Sequence, residues 1–257
     1  MLQITLTQGL LIALWGFIMG LDDLLEFGLI NRPLPAAAMV GLILGDPATG
    51  CIVGALAELS FTGLVPMGGA SVPNGTTSGV MSAVLAITQN LSPAEAFALS
   101  LPFGYLVQYI NVLKNTVFSF FNDISDRIAE TGNYKKMIRF HFLTISANGL
   151  MYAIILFMCA YAAQNQIGAI VALFPEKLIQ GLRIGGGLMP AIGFSMMLSI
   201  IFKPKYLPYL LIGFVLACFI DYGTILPVAV IGTAIALINY FTVSKESTNG
   251  GQSNGIW

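Results

Sequence analysis

The stretch AELSFTGLVPMGGASVPNGTTSG, residues 57–79, carries one carboxylate, Glu58, followed by five glycines, two prolines, Asn74 and a cluster of hydroxyls. A carboxylate accepts hydrogen bonds from two neighbouring hydroxyls, and an asparagine amide both donates and accepts. Glycines and prolines interrupt a helix and release backbone N–H and C=O groups. Together these groups suit a ligand rich in hydroxyls. The competing reading is a packed turn between two short helices, with Glu58 bonded to a distant partner. No basic residue lies between Arg32 and Lys114, so the sequence gives Glu58 no local counter-charge.

Four other polar places interrupt the apolar chain. LDDLLEFGLINRP sets Asp22, Asp23 and Glu26 just before Arg32. Asp22 and Glu26 are four apart, on one helix face. The cluster reads either as a sugar- or cation-contacting site or as an interfacial cap in which a carboxylate pairs with Arg32. Asp46, in LGDPATG, reads as a turn and as the cap of a segment that starts at Pro47. Gln108, Asn111, Asn115 and Asn122 fall on one helical face. Such amides either bridge helices or line a wet path. RIGGGLMPAIG, residues 183–193, is a second Gly/Pro break. It fits close helix packing or a second part of a binding pocket.

Other chemistries lack their residues. The single histidine, His141, begins an apolar run beside basic residues and is not placed as a phosphoryl carrier or proton relay. No P-loop, HExxH or dinucleotide-binding glycine pattern occurs, so no nucleotide, metal or other cofactor is expected. Cys51, Cys159 and Cys218 have no ligand spacing and read as small apolar packing residues. The net charge of −1 excludes a basic nucleic-acid binder.

The elements that hold these residues are membrane helices. Of 257 residues, 56% are hydrophobic and 9% charged, and the mean hydropathy is +0.84. A soluble domain carries about 25% charged residues. Long apolar runs occur near 4–21, 36–57, 79–91, 97–121, 142–163, 184–202, 206–220 and 223–242. Crossing the hydrocarbon takes about 20 residues. The runs 79–91 and 206–220 are shorter, and they flank Gly/Pro/Asn clusters. Broken helices and re-entrant hairpins have that pattern. The expectation is an all-α polytopic membrane protein, with one membrane domain over 1–242 and a disordered polar tail over 243–257. The N-terminal run has no basic flank or cleavage site and reads as a retained span. The basic loop around Arg127, Lys135, Lys136 and Arg139, the Lys203/Lys205 loop and Lys245 are separated by even numbers of runs. All three therefore fit the cytoplasmic side.

NRPL at 31–34, GLILGDPATG at 41–50, GALAEL at 54–59, PMGGASVPN at 66–74, GLRIGGGLMPAIGF at 181–194 and KYLPYLLIGFV at 205–215 occur as an ordered set. The set resembles the IIC membrane subunit of the mannose-type sugar phosphotransferase system, over residues 3 to 242. The resemblance implies a non-catalytic transport subunit in the bacterial inner membrane. It implies a IID membrane partner, trimers of IIC–IID heterodimers, and a mobile core that carries sugar, elevator-fashion, past a scaffold. A phosphohistidine on a cytoplasmic IIB protein, charged by IIA, would supply the phosphoryl group, and no residue of this chain would be phosphorylated. Mannose and sorbose members usually show WMNIGA followed by Pro-Asp; here Pro66 and Asn74 depart from that pattern. The loop is more similar to the N-acetylgalactosamine/galactosamine branch, which implies a hexosamine substrate. In this reading Glu58 accepts from sugar hydroxyls, while Asn74 and the backbone of Gly68, Gly69 and Ala70 orient the ring. Asp22 and Asp23 are secondary contacts. Without the resemblance, an ion-coupled secondary sugar transporter using buried carboxylates explains the same residues.

Overall fold

The computed structural model describes residues 3–64, 72–162, 175–220 and 226–249, with side chains up to Phe241. Among these residues every regular element is helical. The first is α1, Leu6–Leu25. Its start is fixed by a capping box: Thr5 Oγ1 accepts from the Gln8 amide at 3.3 Å, and the Thr5 amide donates to Gln8 Oε1 at 3.0 Å. Next come α2, Pro33–Leu44, and α3, Pro47–Phe61. Then follow α4, Gly75–Gln89, the long α5, Pro93–Glu130, and α6, Tyr134–Phe157. A π-helical turn, Met158–Ala162, prolongs α6. The chain goes on through α7, Glu176–Ile201, a 3₁₀ turn, Pro204–Tyr206, α8, Leu207–Phe219, and α9, Leu226–Asn249.

Length separates two kinds of helix. Leu6–Leu25, Pro93–Glu130, Tyr134–Ala162 and Glu176–Ile201 are long and apolar enough to cross a membrane. At 1.5 Å per residue, α2 spans only about 18 Å and α3 and α4 about 22 Å each, short of the ~30 Å hydrocarbon core. The single apolar run expected over 36–57 is in fact the α2–α3 hairpin. Gly45 closes α2 with φ +92°, a conformation that favours glycine. Asp46 then caps α3, accepting from the Thr49 amide at 3.0 Å and from Thr49 Oγ1 at 2.6 Å. The arms touch at backbone level, because a Cβ on Gly50 would lie 2.8 Å from Ala37 O and from Gly41 Cα.

The inner helix is α4. Residues 76–86 are buried without interruption, as expected for a helix covered on every side. Two of its hydroxyls turn back on their own helix: Ser82 Oγ donates to Ser78 O at 2.6 Å, and Thr88 Oγ1 to Val84 O at 2.7 Å. Ser82 also meets Ser100 Oγ of α5 at 2.9 Å. Glycines on α1 make a second close seam, against α6. A Cβ on Gly16 would lie 2.9 Å from Leu156, and one on Gly20 would lie 2.7 Å from Gly149 Cα. The RIGGGLMPAIG break proves to be helical and serves close packing. Gly186 lies on the carbonyl of Ala94, and Gly193 lies on those of Leu59 and Ser60. Arg183 reaches Glu95 at 3.6 Å from the same helix.

The chain divides into two compact units, Met1–Ser199 and Ile200–Trp257. In the second unit Asn239 Nδ2 donates to Tyr209 Oη at 3.1 Å. Two polar stretches are more helical than expected. The basic loop is a turn of residues 131–133 between two helix ends, rich in helix formers. Likewise the α9 backbone continues to Asn249, through a stretch expected to be disordered; residues 250–257 lie outside the described ones.

The Asp46 cap gives a pH test. The Thr49 hydroxyl, then its amide, holds the Asp46 carboxyl below the usual carboxylate range. A depressed carboxyl contributes stability above its unfolded-state value, and that contribution is lost as pH falls through the depressed value. Asp46→Asn should therefore lower the thermal midpoint of the purified protein at neutral pH. The gap to wild type should close on acidification, in a thermal-unfolding series between neutral pH and pH 3.

Candidate functional site

Five chain segments meet at one end of the short helices. Glu58 is in the last turn of α3, and Asn74 is the N-cap of α4. Phe61 bridges the two ends, its ring 3.0 Å from where a Gly75 Cβ would be. The start of α2 packs on α4 through Pro33 and Gly79. Gly104 of α5 leaves room for Ser78 and the Asn74 carbonyl, and its own carbonyl accepts from the Asn74 amide at 3.0 Å. The end of α1 and the loop after it complete the junction.

That loop is wound around Asp22. Asp22 Oδ1 accepts from the Gly28 amide at 2.6 Å, and Oδ2 from the amides of Ile30 and Asn31 at 2.6 and 3.0 Å. Glu26 and Leu29 adopt positive φ, 47° and 51°, to make the path. Asp22 is therefore a loop clamp. Asp23 points elsewhere. Its Oδ1 accepts from Asn31 Nδ2 at 2.6 Å, and its Oδ2 from Asn148 Nδ2 at 3.2 Å. Lys114 Nζ of α5 lies 3.7 Å from the same Oδ2, on a side chain only 9% exposed. Lys114 also donates to Asn148 Oδ1 at 2.9 Å. Asn148, fully buried on α6, donates to Gly20 O at 2.6 Å. Asp23, Lys114 and Asn148 thus form a closed triad joining α1, α5 and α6.

One turn further along α6 lies Tyr152, 1% exposed. Its hydroxyl oxygen meets Asn74 Nδ2 at 3.2 Å and Asn111 Nδ2 at 3.4 Å. Asn74 Oδ1 meanwhile accepts from the Thr77 amide at 2.8 Å, so the same side chain caps α4 and ties it to α6. Thr76 Oγ1 donates to Asn31 O at 3.0 Å and fastens the loop to α4.

Glu58 departs from the sequence reading. It does have a basic partner: Arg32 Nε lies 3.6 Å from Oε1, and the Leu34 amide donates to Oε2 at 3.3 Å. Arg32 pairs with this carboxylate and not with the Asp22/Asp23/Glu26 cluster, because the clamp turns that loop before Arg32. Gly68, Gly69 and Ala70 fall outside the described residues. The amide stripe of α5 is only partly inward: Asn115 and Asn122 are exposed and Gln108 is half-buried. The inner face carries Gly104, Val107, Asn111 and Lys114. Reading by residue type missed Lys114, Asn148, Tyr152 and Asn31. The signal for Lys114 was present, as a lone cation within the apolar run 97–121.

Among the described residues no group of His, Cys, Asp and Glu could hold a metal ion. The junction offers amides, hydroxyls and compensated charge, which suits a neutral polar ligand.

The family model described as the sorbose-specific IIC component of the phosphotransferase system matches residues 6–238. The chain belongs to this family. It is a mannose-family IIC sugar permease subunit and a multi-pass inner-membrane protein. It is 38% identical over 244 residues to N-acetylgalactosamine permease IIC component 1 of Escherichia coli K12, covering 95% of this chain and 91% of that one. The fructose permease IIC component of Bacillus subtilis 168 is 29% identical, over 95% of this chain and 90% of that one. The mannose-specific EIIC component of Escherichia coli K12 is 28% identical, over 95% and 92%. Among solved structures, a chain described only as a membrane protein aligns with a TM-score of 0.83. A chain from the complex of mannose transporter ManYZ with microcin E492 aligns with a TM-score of 0.58. Both are 26% identical, over 93% of this chain and 96% of the other. The IIC permease fold therefore carries the junction described above.

The triad makes a stability prediction. Lys114→Met takes the cation from the partly buried Asp23 carboxylate, 24% exposed, and this loss should cost about 1–3 kcal/mol. Adding Asp23→Asn removes that charge, so the double variant should recover most of the loss. Thermal unfolding of the single and double variants measures the difference.

Proposed function

We propose that this IIC subunit imports an N-acetylated hexosamine, N-acetylgalactosamine in the first instance, as part of a phosphotransferase complex. The observation that carries the proposal is the 38% identity to an N-acetylgalactosamine permease component, against 28–29% for the fructose, sorbose and mannose relatives. The neutral Asn74 agrees with it, since an amide can donate to an acetyl carbonyl. Galactosamine is the alternative substrate of the same branch.

In this reading the sugar lies at the α3–α4 end. Glu58 accepts from ring hydroxyls, and Asn74 with the backbone of Gly68, Gly69 and Ala70 orients the ring. Asp23 is a secondary contact. Asp22, with its oxygens engaged by loop amides, acts by shaping the loop. The short α2, α3 and α4 end where the site is, an arrangement suited to polar ligands at membrane depth. A IID subunit is the membrane partner, in trimers of heterodimers, and the ManYZ likeness supports such a pairing. The sugar is phosphorylated by a IIB phosphohistidine as it leaves an elevator-type core.

Radiolabelled N-acetylgalactosamine should enter cells as its phosphate, and only when IID and IIB are present. Accumulation of unmodified sugar, collapsed by uncouplers, would instead establish an ion-coupled carrier. Uptake of mannose or sorbose in place of the hexosamine would overturn the substrate alone. Glu58→Gln keeps an acceptor for the Leu34 amide but loses the charge. Uptake should fall about 10- to 100-fold, the scale of one charge-assisted hydrogen bond, with the complex still assembled. Normal uptake in that variant removes Glu58 from the site.

A further inference from the structure

Two amides at the junction are held in place with one end unused. Asn31 is fixed three ways: its amide N–H donates to Asp22, its carbonyl accepts from Thr76, and its Nδ2 donates to Asp23. An ionised carboxylate only accepts, so the NH₂ end must face Asp23. The Oδ1 end then faces away, buried and without a hydrogen-bond partner. Asn111 presents the same situation from α5. One end of its carboxamide meets Tyr152 Oη at 3.4 Å, and Oδ1 is buried and unpartnered. Turning the amide over would satisfy Oδ1 with the tyrosine hydroxyl and leave the NH₂ end bare. In either orientation one polar end has no partner.

Such ends are rare in buried surroundings, where a polar atom without a partner is costly. Here they come as a pair on one network. Asn31 touches Asp23, Asp23 pairs with Lys114, and Lys114 is one helical turn from Asn111 on the same face of α5. Asn111 in turn shares Tyr152 with Asn74. Within this network these two oxygens are the buried side-chain atoms left with no partner at all. Asn148 is consumed at both ends, by Lys114 on Oδ1 and by Gly20 and Asp23 on Nδ2. Asn74 is anchored at both ends, by Thr77 on Oδ1 and by Tyr152 on one N–H of Nδ2, which leaves its second N–H for the acetyl carbonyl. The spare ends therefore mark where an outside partner completes the network. That partner must offer hydroxyls and carry no net charge, because Asp23 and Lys114 already neutralise each other.

We infer that Asn31 and Asn111 are ligand-binding residues that take hydroxyls of the transported sugar. Lys114 is a positioning residue: it holds Asp23, which fixes the Asn31 amide with its oxygen unpartnered. This inference deepens the sugar-permease reading and rests on it. It assigns recognition to α5 and to the α1–α2 loop, in addition to the α3–α4 end.

The test is sugar binding by the purified IIC–IID complex, measured by calorimetry and by thermal shift. Asn111→Leu removes a group with an unmet hydrogen bond, so the sugar-free complex should unfold at the wild-type temperature or above. Its affinity for N-acetylgalactosamine should fall about tenfold, the scale of one hydrogen bond. Asn31→Ser, which keeps a short donor, should weaken binding similarly. A series of monodeoxy sugars gives the decisive readout. Asn111→Leu should bind one deoxy analogue as well as wild type does, because the hydroxyl it served is already missing. Wild-type affinity in Asn111→Leu overturns the inference. So does a parallel loss of thermal stability and of affinity for every analogue, which is the mark of a purely structural amide. Wild type that binds a different hexose overturns the N-acetylgalactosamine reading only, and the Asn111 comparison is then read with that hexose. Wild type that binds no sugar overturns both.

Discussion

A lysine and an aspartate on membrane-crossing helices persist only as a pair. The Lys114–Asp23 contact, closed by Asn148, is the constraint on which the rest of the junction depends. The Lys114 side chain is only 9% exposed, so its charge needs a partner, and Asp23 supplies one. The pair also fixes geometry. It determines that α5 presents Lys114 and Asn111 to α1 and α6, and that the end of α1 stays against Asn148. With α1 fixed there, Asp22 can wind the following loop, and the loop delivers Asn31, Arg32 and Pro33 to the starts of α2 and α4. Remove the pair and the termini of the short helices lose their common reference point.

The short helices carry the second constraint. Backbone groups at membrane depth must be satisfied within the protein, and α2, α3 and α4 end inside it. Capping side chains and neighbouring carbonyls meet that need. Asn74 caps α4, and Gly104 O receives the Asn74 amide. Glycines at Gly41, Gly50, Gly79 and Gly104 let these ends approach closely enough for the exchange. The cluster of Gly, Pro and Asn that interrupts the apolar pattern is the sequence expression of this requirement.

Much of this was legible from one chain. Apolar run lengths gave the helical class and the short α4 and α8, but merged α2 and α3 into one run. Asp-Pro flanked by glycines gave the α3 cap, because that signal is local and needs no partner from elsewhere. Pairings between distant segments were not legible. Arg32 could have met Asp22, Asp23 or Glu26, and its choice of Glu58 follows from the turn imposed by Asp22. Asn148 and Tyr152 sit in an apolar run with no local anomaly beyond an Asn-Gly step. Their roles exist only because α1 and α5 bring Gly20, Asp23, Lys114 and Asn111 to them. Lys114 was the exception. A lone cation inside an apolar run is a visible signal, but its partner lies 91 residues earlier in the chain. The helical ends at 131–133 were misread for a different reason: polar composition resembles a loop even when it continues a helix past the lipid.

The seam between α1 and α6 has a consequence for how the protein is made. Asn148 donates to Gly20, 128 residues earlier. A ribosome adds roughly 5–20 residues per second, so α1 enters the bilayer on the order of ten seconds before its partner exists. Through that interval its glycine face and its two aspartates stand uncovered. The aspartates lie at the end of α1 and not at its centre, where headgroup water can solvate them during the wait. Biogenesis thus sets a limit on where charge can sit in the first span, separate from anything the finished permease requires.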